Sequence, residues 1–98
     1  MNGAVVGWGR LAPDLKMCVT IYNEQQQGRD VWTGRLLELL KGELTRQQVS
    51  MNEDRLMDLG ILDKQWKMAE GKWTYCYRIC RCTESFIKNV AENNQRSA

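Results

Sequence analysis

Two sets of residues in this 98-residue chain are of types that could do chemistry: the thiols Cys18, Cys76, Cys80 and Cys82, and the polar run from Thr45 to Asp54. A thiol acts as nucleophile or metal ligand only as the thiolate, which normally needs a basic neighbour or a bound metal. Histidine, the commonest general base and metal ligand, is absent from the chain. Zinc sites favour C-x2-4-C pairs at turns, and the Cys80-x-Cys82 spacing fits that poorly, with Cys18 alone to complete a tetrahedron. Cys76, Cys80 and Cys82 fall on even positions of a predicted strand, so all three side chains are expected on one face. They read as reduced structural thiols, with a redox- or metal-sensor role left open. Gly7-Trp8-Gly9-Arg10 is too short to cradle a nucleotide phosphate. No metal site, no cofactor and no enzymatic activity are expected.

The run Thr45-Arg46-Gln47-Gln48-Val49-Ser50-Met51-Asn52-Glu53-Asp54 offers a different chemistry. Arginine can pair with guanine, glutamine with adenine and aspartate with the cytosine amino group, and a methionine can rest on a thymine methyl. The net charge of +2 is too small to imply nucleic acid by itself, but its distribution is uneven. Residues 1–44 carry five charges of each sign, 45–61 carry two basic against three acidic, and the tail from 83 is balanced. Residues 62–82 hold Lys64, Lys67, Lys72, Arg78 and Arg81 against Asp63 and Glu70. The whole basic excess sits in that stretch.

The elements that must position these residues follow from periodicity. Residues 1–12 are glycine-rich and aperiodic, and are expected to be a frayed arm or a short irregular strand. Pro13 and Asp14 suit the first turn of a helix in which Leu15, Cys18, Val19 and Tyr22 form an apolar stripe. Gly28 should end it. A second helix, capped by Asp30 or Thr33, presents Trp32, Leu36, Leu37, Leu39 and Leu40 and ends at Gly42. Thr45 and Gln48 form a capping box that opens a third helix running to about Leu59, with Val49, Leu56 and Leu59 on its core face and Gly60 closing it. Glu53 falls at i+4 from Val49, where a hydrophobe belongs, so either this helix is rotated or Glu53 meets a partner for its charge.

After Gly60 the period becomes two. Leu62, Trp66 and Met68, a turn at Ala69-Glu70-Gly71-Lys72, then Trp73, Tyr75, Tyr77 and Ile79 predict a hairpin over 62–80. The four aromatics are expected in core and cross-strand packing, with Trp73 buried enough that its truncation unfolds the domain. A short helix over 84–92 carries Phe86, Ile87 and Val90, and residues 93–98 should fray. No run approaches the ~20 apolar residues of a membrane span, and the N-terminus lacks the basic region of a secretory signal. A cytoplasmic protein is expected.

Helix, helix, turn, helix, hairpin, helix is the order of a winged helix-turn-helix domain, predicted here over 13–92. The segment Leu44 to Leu62, with Leu56, Leu59, Gly60 and Ile61 matching an L-x-x-L-G-(I/L) phrase, resembles the recognition helix of small prokaryotic MarR/ArsR-like regulators. Residues 63–78 resemble their wing. The resemblance implies a mainly α fold with a β-hairpin, sequence-specific double-stranded DNA as partner, and a role in transcription. On it, Thr45, Arg46, Gln47, Ser50, Met51 and Asp54 are the recognition-helix contacts, and Lys67, Lys72 and Arg78 the wing contacts. A single recognition helix specifies little, so a homodimer is expected, through Ile21, Tyr22, Phe86, Ile87 and Val90. The alternative is a winged helix that binds protein instead of DNA, favoured by the acidic excess on the third helix.

Overall fold

The computed structural model describes residues 7–93, so expectations for residues 1–6 and 94–98 lie outside the described residues. Four α-helices and one antiparallel hairpin follow in the order α1 (Pro13–Gln26), α2 (Thr33–Leu39), α3 (Arg46–Asp58), β1 (Leu62–Ala69), β2 (Lys72–Ile79) and α4 (Glu84–Asn93). This is the winged-helix order, an α+β fold. The arm contributes no strand over 7–12; Trp8–Arg10 form a 3-10 turn. The Trp8 indole N–H donates to Glu43, which also pairs with Lys16.

Pro13 occupies the first helical turn of α1, and Met17, Cys18 and Ile21 are buried along its inner face. Neither expected cap serves α2. Its N-cap is Trp32, with no side-chain cap, because Asp30 is held by Lys67 and the Thr33 hydroxyl by Tyr77. Leu36 of this short helix and Leu40, its C-cap, are completely buried. Thr45 and Gln48 form the capping box of α3 as expected, and Val49 and Leu56 point into the core.

Leu59 departs from the expectation and is exposed. The helix ends one residue earlier, at Asp58, and Gly60 takes a left-handed φ of 75° that side chains rarely adopt. The N–H of Gly60 then bonds the carbonyl of Met57, and that of Ile61 bonds Leu56, the two bonds of a Schellman motif. This turn swings Ile61 onto the core in the place expected for Leu59.

The hairpin pairs Leu62 with Ile79 through to Ala69 with Lys72. Glu70 and Gly71 both have positive φ, 49° and 82°, as a two-residue turn matched to strand twist requires. Residues facing each other across an antiparallel pair lie on one side of the sheet. One side therefore carries Leu62, Lys64, Trp66 and Met68 with Ile79, Tyr77, Tyr75 and Trp73. At the base of the hairpin this side is core: Leu62, Tyr77 and Ile79 are buried. Towards the tip it is open, because none of the described helices covers that side there. The expectation of buried aromatics thus holds for Tyr77 and fails for Trp66, Trp73 and Tyr75, which are 57%, 56% and 54% exposed. Those three do pack across the strands, with Trp66 and Trp73 stacked at 6.3 Å between centroids and Tyr75 edge-on to Trp66 at 4.7 Å.

The strand ends at Ile79, so only Cys76 of the three clustered thiols lies on it; Cys80 and Cys82 belong to a 3-10 turn that leads into α4. The expected common face for Cys76, Cys80 and Cys82 is absent. Ile87 and Ala91 seat α4 against the body, chiefly on α1.

Candidate nucleic-acid interface

The turn between α2 and α3 brings Thr45 to the surface, and the capping box fixes where α3 begins. Thr45 Oγ1 accepts from the Gln48 N–H at 3.2 Å, while Gln48 Oε1 accepts from the Thr45 N–H at 2.9 Å. With Val49, Asn52 and Leu56 buried, the opposite side of α3 presents Arg46, Gln47, Ser50, Met51 and Asp54 to solvent. These five residues and Thr45 are all exposed and form one surface. Arg46 makes no ion pair among the described residues, so its five guanidinium donors are uncommitted.

Of the remaining charges of α3, Glu53 and Arg55 are tied down, while Asp58 is exposed. Arg55 bridges Asp14 of α1 at 3.0 Å and Asn52 at 2.9 Å, fixing the helix to its neighbour. Glu53 does meet a partner, and in fact two: the Tyr77 hydroxyl donates to it at 2.5 Å and the Lys64 ammonium pairs with it. The acidic group that interrupts the apolar stripe therefore faces the hairpin instead of an incoming phosphate. Burial and the bond to Glu53 push the Tyr77 hydroxyl well above its ordinary pKa, so it stays a neutral donor.

The basic residues of the hairpin divide. Lys67, Lys72 and Arg78 occupy the side opposite the aromatics. Lys67 is bound to Asp30 at 2.8 Å, which also ties the hairpin to the α1–α2 loop. Lys72 and Arg78 are exposed and make no ion pair among the described residues. The Tyr77 N–H donates to the Val31 carbonyl at 2.7 Å, holding that loop along β2.

The residues expected at a dimer contact separate as well. Ile21 and Ile87 are completely buried inside the chain's own core, so neither is open to a second copy. Tyr22 and Val90 are half-buried and Phe86 is exposed. Sequence reasoning missed Thr33, Lys64 and Tyr77 as the residues that set the hairpin against α3. The signal for them was Glu53 itself, a carboxylate where the helix wants a hydrophobe.

Among the described residues no group of three or more Cys, Asp or Glu is arranged to hold a metal ion. Nor is any helix there long and apolar enough to cross a membrane. Burial pushes the Cys18 thiol up to about 12, helped by the nearby Asp14 charge. Burial also raises Cys76 and Cys80.

A helix-turn-helix followed by a two-stranded hairpin defines a winged-helix domain. Among solved structures, the chain is similar to the circadian clock associated protein Pex from Anabaena, with a TM-score of 0.64 and 18% identity over 84% of this chain and 76% of that one. At that identity the likeness is one of fold. No protein-family model matches the chain, and no curated protein does.

Proposed function

We propose that the protein is a sequence-specific double-stranded DNA-binding regulator of transcription, of the MarR/ArsR-like kind, acting as a homodimer. The observation that carries this reading is the free side of α3. Thr45, Arg46, Gln47, Ser50, Met51 and Asp54 form one exposed row on a helix whose N-terminus is capped and whose opposite face is anchored. The major groove admits one such helix. Arg46 and Gln47 lie in its first turn, where helix-turn-helix proteins place their base contacts. Lys72 and Arg78 would meet the flanking phosphates, positioning the helix without specifying sequence.

The test is fluorescence anisotropy of the full chain on mixed-sequence duplex at two salt concentrations. Binding that weakens steeply with salt is expected, from release of counterions. A folded protein that leaves duplex DNA unbound at low salt overturns the reading. A protein-binding winged helix is the second reading, favoured by Asp54 and Asp58, which leave the free side of α3 with two carboxylates against Arg46. That reading expects no binding in the same titration.

A further inference from the structure

The outer half of the hairpin carries an apolar surface that the DNA reading does not use. Trp66, Met68, Trp73 and Tyr75 form a two-by-two block on one face, each between 49% and 57% exposed. The block continues the face that Leu62, Tyr77 and Ile79 bury at the base of the hairpin. It is a piece of core surface that no other described element covers. Each side chain leaves about 100 Å² open, on the order of 400 Å² together, which matches the largest apolar patch of an ordinary monomer.

We propose that this face is a self-association surface, covered by the same face of a second copy of this chain. Charge decides against a polyanion as its occupant. The block is uncharged, and the cation on its side of the hairpin, Lys64, is already bound to Glu53. Lys72 and Arg78, which are uncommitted, lie on the other side. Stacking on nucleic-acid bases works where aromatic rings line a basic groove, and here rings and free cations are on opposite faces.

A second copy fits because the block is complementary to itself. Two hairpins can meet face to face about a twofold axis that crosses the strands at the level of Lys67. That axis sets Trp66 over Met68 and Tyr75 over Trp73 in both directions, as an isologous contact requires. An axis along the strands would instead put both helical bodies at the same end, where they collide. The pairing buries on the order of 800 Å², about half a standard interface, so the dimer is weak and depends on concentration. This locates the second copy that the DNA reading calls for. It rests on that reading for its purpose only, since the association is measured without DNA.

The experiment is sedimentation equilibrium of the full chain, DNA-free, from about 5 μM to about 500 μM, a range that covers weak dimers. The mean mass is expected to rise from monomer towards dimer. Trp73→Glu should weaken the association at least tenfold while the far-UV circular dichroism stays unchanged. Tyr75→Thr, a second and milder change on the same face, should weaken it in the same direction. Phe86→Glu, on the exposed side of α4, should leave it unaltered. A monomer at every concentration overturns the proposal, as does a dimer indifferent to both hairpin changes or one that only Phe86→Glu breaks. Failure here leaves the anisotropy result standing, and failure of DNA binding leaves the sedimentation result standing.

Discussion

Tyr77 of β2 donates its hydroxyl proton to Glu53 in the middle of α3 at 2.5 Å, and this bond sets the hairpin against the helix. Tyrosine has one hydroxyl proton, so Thr33, 2.9 Å away at the start of α2, must be the donor in its own bond to Tyr77. Three elements therefore converge on one phenol oxygen. Tyr77→Phe removes both bonds and leaves Glu53 with Lys64 as its remaining partner. A cost of about 1–2 kcal/mol is expected from hydrogen bonding of this kind to a charged group. The urea midpoint of the variant against the parent measures it, and an unchanged midpoint would show that the three elements are held by apolar packing alone.

Glu24 of α1 holds two guanidiniums, Arg29 at 2.9 Å and Arg35 beside it, with its side chain 11% exposed. The hydrogen bond from Arg29 is the largest influence on its carboxyl. Burial opposes it and Arg35 reinforces it, and the pKa falls below the usual carboxylate range. A depressed carboxyl contributes stability above its unfolded pKa, about 4.3, and that stability is lost as pH falls through the lower folded value. Glu24→Gln is therefore expected to cost about 2 kcal/mol at pH 7. The gap between variant and parent should close below about pH 4. Thermal melts of both proteins across pH 2–7 check the sign, and a gap that widens in acid would contradict it.

The tip and base of the hairpin give opposite expectations for two apolar residues of one strand. Trp73 is more than half exposed, and its contacts are to Trp66 across the strands. Trp73→Ala should cost no more than about 1 kcal/mol, the scale of a cross-strand pair. Ile79 is completely buried at the base, and Ile79→Ala should cost about 2–5 kcal/mol. Chemical denaturation of the two variants at low protein concentration ranks them. A Trp73→Ala variant as damaged as Ile79→Ala would place the tip in the core after all.

The contrast between those two residues shows what the sequence conveys and where it stops. Period-two alternation places Leu62, Trp66, Met68, Trp73, Tyr75, Tyr77 and Ile79 on one side correctly. It contains nothing about how far the helical body extends over that side, because burial is set by the length of the neighbouring elements. The same gap misled the reading of Ile21 and Ile87, whose helical faces are apolar both for the core and for a contact. Local chemistry was more legible. The capping box of Thr45 and Gln48 and the glycine stops at 28 and 60 are decided by residues a few positions apart, and they stand where the residue types put them. By contrast, α2 already ends at Leu39, three residues before the Gly42 expected to stop it. Leu59 and Ile61 exchange roles because a Schellman turn reverses the chain within three residues, which a helical period cannot express. Glu53 was legible as an anomaly, but its partners Tyr77 and Lys64 are 24 and 11 positions away and no local pattern points to them.

The four thiols are expected to react in the order of their exposure. Cys82 is exposed and Cys80 half-buried, whereas Cys18 and Cys76 are buried. Burial first, and the Asp14 charge second, push Cys18 up to about 12, so at neutral pH it is a protonated, inert side chain. With a disulfide reagent on the native protein, Cys82 should be labelled promptly and Cys80 more slowly. Cys18 and Cys76 should appear on unfolding. A raised thiol pKa also favours the folded state below the unfolded value near 8.5, and that contribution is lost as pH rises towards 12. Fast labelling of Cys76 in the folded protein would reopen it as a redox switch.

The basic residues of the hairpin separate the DNA reading into parts that mutate differently. Arg46→Ala combined with Gln47→Ala removes hydrogen-bonding groups from the first turn of α3 and leaves the capping box intact. The preference between duplex sequences should flatten, at about 1–3 kcal/mol per lost base contact. Lys72→Ala and Arg78→Ala remove uncommitted cations. Each should weaken binding to all sequences alike and reduce the salt slope by about one. Lys67→Ala should behave otherwise, because Lys67 is bound to Asp30 and offers a phosphate little that is not already in use. Its salt slope should stay near that of the parent, with the loss appearing as reduced stability of the contact between the hairpin and the α1–α2 loop. Anisotropy titrations at several salt concentrations, on two duplexes of different sequence, resolve all four variants. If Lys72→Ala and Arg78→Ala changed sequence preference and left the slope alone, the roles of hairpin and helix would be reversed.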